Sequence, residues 1–141
     1  MTTALRDTEL IERLLPSVHR GGTILLRTEQ GTMELRGDDL VLAASEEWLT
    51  IYHSTAASPE ARSHLHLRPG SFRYARVVER EGATPFVGFW QTHEDDPEAR
   101  PPLAIYFPAS FDWAKGRAPI EENQQLFQDW VDHHGREFAL T

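Results

Sequence analysis

Leu10, Ile11, Leu14 and Leu15 fall at the spacing of a single helix face, because residues three and four apart stand on the same side of an α-helix. The spacing predicts a short amphipathic helix, with Asp7 or Thr8 as N-cap and Gly21-Gly22 as the stop. After that the period drops to two. Thr23–Thr28 and residues 32–36 flank Glu29-Gln30-Gly31 and read as a hairpin, and Gly37-Asp38-Asp39 turns the chain into Leu40–Ala44. Further strands are expected over 47–53, 63–68, 72–79, 85–92 and 103–107. In 63–68 the alternation is clean: Leu65 and Leu67 face one way, His64, His66 and Arg68 the other. Residues 54–60 and 93–102 carry proline and polar residues and read as loops. Leu126, Phe127, Trp130 and Val131 return to helical spacing over 120–134, ended by Gly135. Helix, about eight short strands with turn-length links, then helix predicts an α+β fold. Its sheet is large, bent and antiparallel, with both terminal helices packed on it.

Composition narrows the chemistry. At 141 residues the chain has the length of one domain, by the rule of roughly 150 residues per domain, and the expected organisation is a single domain over 1–141. There is no cysteine, which excludes disulfides, thiolate nucleophiles, iron–sulfur clusters and covalent c-type haem attachment. Neither an apolar leader stretch nor a membrane-length apolar run is visible, so the expected location is cytoplasmic, without membrane insertion. The net charge of −8 argues against nucleic acid, whose phosphates call for a cationic surface. Arginines nevertheless gather mid-chain at Arg62, Arg68, Arg73, Arg76 and Arg80, while acids collect over 94–98 and 121–132.

Seven histidines raise the question of a metal. His64 and His66 are the best placed pair, since i and i+2 on a strand share a face. No carboxylate follows them before Glu79, and Arg68 stands where a cation would be repelled. His133-His134 and His19 read as helix-end residues that complement the helix dipole. The chain has no G-x-S-x-G, no G-x-G-x-x-G and no G-x-x-x-x-G-K, so hydrolase and nucleotide signatures are lacking. What remains is histidine and arginine among many aromatic residues, Trp48, Tyr52, Phe72, Tyr74, Phe86, Phe89, Trp90, Tyr106 and Phe107 among them. A haem slot uses this mixture, and so does an ordinary aromatic core.

Taken in order, the segments resemble the bacterial haem-utilisation family (HemS-, ChuX- and HutX-like proteins), from about Thr23 to the end. Thr23-Ile24-Leu25-Leu26-Arg27-Thr28 followed by Met33-Glu34-Leu35-Arg36-Gly37 is similar to the family's first hairpin. Leu65-His66-Leu67-Arg68 and then Tyr74-Ala75-Arg76-Val77-Val78-Glu79-Arg80 resembles its histidine-bearing strand and the one after it. Phe86-Val87-Gly88, Leu103-Ala104-Ile105-Tyr106-Phe107 and a last helix with Gln125, Phe127 and Trp130 complete the likeness.

The resemblance implies a chain equal to one structural half of the longer members, pairing as a homodimer. It implies non-covalent haem b, with His66 as the iron ligand. The second axial histidine of the short members falls on Arg27, which cannot ligate iron. The longer members carry arginine in that hairpin, and Arg27 is then expected at a propionate or a distal ligand. With His66 and Arg27, the candidate haem-binding residues are Arg68, His64, Arg76, Phe86 and Trp90, with His64 or His53 as substitute ligands. The implied function is a carrier or buffer of haem in iron utilisation. A haem-degrading oxygenase-like enzyme, and a dimer that kept the fold for another small ligand, are the alternatives. Without the resemblance, His66 reads as a strand histidine facing solvent, and Phe86, Trp90 and Tyr106 as core.

Overall fold

The computed structural model describes residues 5–55 and 64–141. Most of the loop expected over 54–60, together with Arg62 and Ser63, lies outside the described residues. The elements run α1 (Asp7–His19), β1 (Thr23–Thr28), β2 (Gly31–Leu35), β3 (Leu40–Ala44), β4 (Leu49–His53), β5 (His64–Leu67), β6 (Tyr74–Val78), β7 (Phe86–Trp90), β8 (Leu103–Tyr106), β9 (Phe111–Asp112), β10 (Ala118–Pro119), α2 (Glu121–His134) and β11 (Glu137–Ala139). The class is α+β. The strands divide into an antiparallel six-stranded sheet ordered β11-β6-β7-β8-β1-β2, a three-stranded sheet β3-β4-β5, and a two-residue ladder of β9 with β10.

Alternation in the strands decides which residues meet. Ile24, Ala75, Val87, Phe89, Leu103, Ile105 and Phe138 of the large sheet join one apolar cluster with Leu10, Ile11, Leu14 and Val18 of α1 and Phe127, Trp130 and Val131 of α2. Leu40, Leu49, Ile51, Leu65 and Leu67 of the small sheet belong to the same cluster. Helix α1 touches both β8 and β3, so it binds the two sheets together. Each Val, Leu, Ile or Phe side chain buried this way contributes about 1.5–3 kcal/mol relative to exposure. Both helices lie on this side, as the terminal helices predict.

The other face of the large sheet holds a second, smaller cluster: Leu25, Tyr74, Val78, Phe86, Trp90 and Ala104, with Ala99 and Tyr106 against it. Ala99 belongs to the acidic segment 91–102, which crosses this face as a strap. The Arg76 guanidinium donates to the carbonyls of Glu94 and Asp96, and Arg80 donates to the Pro97 carbonyl at 3.2 Å. The strap is therefore fastened through its backbone, with most of its carboxylates left at the surface.

Two local expectations change. The N-cap of α1 is Arg6, which makes no side-chain cap bond, and Asp7 is the first helical residue. Asp7 is 2% exposed and is used differently. Its carboxylate accepts from Thr8 N at 2.8 Å, Gly70 N at 3.0 Å and Phe72 N at 3.2 Å, tying the helix start to the turn before β6. Strand β11, too short to show an alternation, closes the large sheet against β6.

Candidate functional site

In β5 the inward residues Leu65 and Leu67 are buried, and His64 and His66 stand on the face turned away from the core. Register places Thr50 opposite His66 and Tyr52 opposite His64. Thr50 Oγ1 lies 2.9 Å from His66 Nδ1. With Nδ1 as the donor, Nε2 keeps its lone pair, which is the state a metal ligand needs. The His66 ring centre is 4.8 Å from that of His64 and 5.8 Å from that of Trp48. Arg68, the residue just past the end of β5, sets its guanidinium carbon 5.3 Å above the Trp48 ring. Trp48 is 38% exposed because a tight turn presents it: Ser45 N donates to the Trp48 carbonyl at 2.8 Å, and Trp48 N donates back to Ser45 Oγ at 3.1 Å. Two imidazoles, an indole and a guanidinium thus form one exposed patch.

Arg27, Arg76, Phe86 and Trp90, expected to share a site with His66, do not stand beside it. Leu25, the outward neighbour of Arg27 along β1, together with Phe86 and Trp90, belongs to the strapped cluster on the large sheet. The physical reason is the division of the strands: β5 is in a separate sheet, and each sheet turns its second face away from the shared core. Arg76 is committed to the strap carbonyls and stacks 4.6 Å over the Trp90 ring, so within one chain it fastens a loop. Phe86 packs on Tyr106 with ring centres 4.7 Å apart, which is a core contact. Arg27 differs from both. It is half-buried, its backbone N–H donates to the Pro102 carbonyl at 2.8 Å, and its Nε, like Trp90 Nε1, is buried without a partner among the described residues. Register sets both residues beside position 102 in one cross-strand row.

The other histidines divide by use. His53 Nδ1 meets Asp39 Oδ1 at 3.0 Å, and the Thr55 hydroxyl donates to Asp39 Oδ2 at 2.6 Å. These bonds, that from Thr55 first, lower the Asp39 carboxyl to about 2. His93 pairs with Asp95 at 2.6 Å and lays its ring on Tyr74. Burial, and then the bond to Glu137, raise the Tyr74 phenol above its usual value. His19 Nε2 lies 2.6 Å from the Leu40 carbonyl, and His133 and His134 close α2 as the sequence suggests. Among the described residues no three metal-ligating groups converge. A cleft of about 450 Å³ lies between the β6–β7 turn, the loop around Ser110 and α2, lined by Ala83, Pro85, Ser110 and Phe127.

Sequence reasoning missed Thr50, Asp39 and the strap. Thr50 becomes visible only once the β4–β5 register is known, and the strap's anchors are main-chain carbonyls, which carry no residue signature. Among the described residues no helix is long and apolar enough to cross a membrane. No protein-family model matches the chain, and no curated protein matches it.

Proposed function

We propose that the chain is a cytoplasmic haem-binding protein, a carrier or buffer of haem b, that holds the iron non-covalently through His66 and works as a homodimer. The observation that carries this reading is the Thr50–His66 hydrogen bond at 2.9 Å. With Nδ1 donating to Thr50 Oγ1, it orients an exposed imidazole and leaves the Nε2 lone pair to bind, the same role that outer-shell partners play for metal-ligating histidines. The donor set around it fits the cofactor. Trp48 gives flat apolar surface and Arg68 a cation for a carboxylate.

One exposed face covers one side of a porphyrin, and a second chain supplies the other. Arg27 and His66 stand on different sheets, each on the face turned away from the main core. On this reading Arg27 reaches the porphyrin from the partner subunit. A half-buried guanidinium whose Nε is buried without a partner among the described residues is suited to a propionate or to a distal ligand.

The test is a haemin titration followed in the Soret region, with sedimentation of the product. One haem per chain in a saturable, shifted band, carried by a dimer and weakened by His66→Ala, is expected. A saturable band indifferent to His66→Ala would remove His66 from the account. No saturable band would end the haem reading.

A further inference from the structure

We infer that His64 and His66 form a two-imidazole chelate for a borderline divalent transition ion such as Cu²⁺, Ni²⁺ or Zn²⁺, using the His66 nitrogen that the haem reading assigns to iron. The pair is i, i+2 on β5, so both side chains leave the same face of the strand. Their ring centres are 4.8 Å apart at an interplanar angle of 66°. Two imidazoles bound side by side to one ion, each nitrogen at about 2.0–2.1 Å, bring their ring centres to roughly 5 Å. The pair therefore already has the ring-centre spacing of a chelating one.

Each imidazole carries two nitrogens, and one from each ring serves the ion whatever the other holds. In His66 the division is already made, because Thr50 takes Nδ1. Arg68, the obvious source of repulsion, directs its charge over the Trp48 ring. Both histidines are exposed, so an ion keeps water in its remaining positions and exchanges readily. Imidazole ligands suit copper, nickel and zinc better than magnesium or calcium. An ion on His66 Nε2 excludes haem iron from it, so divalent metal is a competitor that regulates haem uptake at this face.

The test is isothermal titration of tag-free protein with the chlorides of Cu²⁺, Ni²⁺ and Zn²⁺, run on the wild type, His64→Ala, His64→Gln, His66→Ala and His53→Ala. One ion per chain is expected, with Cu²⁺ tightest. The affinity should fall about tenfold or more when either member of the pair is replaced and stay unchanged in His53→Ala. Since the ligands must be deprotonated, binding also weakens on acidification. Metal binding that survives both His64 variants would overturn the proposal, as would binding with no ion held at one per chain. The metal titration of His64→Gln tests this inference and the Soret titration of His66→Ala tests the haem reading, so either can fail without the other. With both intact, saturating Zn²⁺ should lower haemin affinity in the wild type and leave it unchanged in His64→Ala. Equal haemin affinity with and without Zn²⁺ in the wild type would overturn the competition.

Discussion

The indole of Trp90 lies directly over Gly88. A Cβ placed on Gly88 would come within 2.6 Å of Trp90 Cη2 and 3.0 Å of the Pro101 ring. The missing side chain is thus what lets a large aromatic lie flat on the sheet beneath the strap, with the Arg76 guanidinium against it. Gly88→Ala should cost about 1–3 kcal/mol, the range for overpacking a filled site, measured by urea unfolding. In a Trp90→Leu background the same change should cost much less, because the clashing ring is gone. Equal costs in both backgrounds would contradict the packing.

Asp7 is predicted to be a fastening residue. Asp7→Ala leaves the part-buried N–H of Gly70 and the buried N–H of Phe72 without their acceptor. The expected loss is about 2–4 kcal/mol, with Asp7→Asn losing less because one oxygen remains. A loss below about 0.5 kcal/mol, typical of surface changes, would show that the turn finds other partners.

Acidification should weaken the fold through His134. Burial, and then the charges of His133 and Arg13, push its imidazole below the usual 6.5. The unfolded chain therefore takes up the proton more readily than the folded one, and stability falls as the pH drops below 6.5. Thermal melts across this range should show a steeper decline for the wild type than for His134→Gln. Parallel declines would assign the loss to other groups.

What could be read from the chain follows from how far each signal reaches. Leu65 and Leu67 against His64 and His66 is a two-residue period, and it gave the correct inward and outward faces of β5 before any partner strand was known. The faces of α1 and α2 were legible for the same reason, since Leu10, Leu14, Phe127 and Trp130 lie within single helices. The assignment of β5 to a sheet of its own was not legible, because nothing local distinguishes a strand of the large sheet from one of the small. That is why Arg27, Arg76, Phe86 and Trp90 were grouped with His66 and stand apart from it. Arg76 shows the limit most plainly: an arginine expected at an anionic ligand holds two backbone carbonyls of its own chain.

The central claim is that His66 supplies the iron ligand, and chemical rescue tests it most directly. Haemin is titrated into His66→Gly with and without free imidazole, and the Soret spectrum is compared with that of the wild type. The account predicts that the glycine variant loses the wild-type band and that imidazole, entering the vacated space beside Thr50, restores it. A variant with the wild-type spectrum before any imidazole is added would show that the iron is held elsewhere.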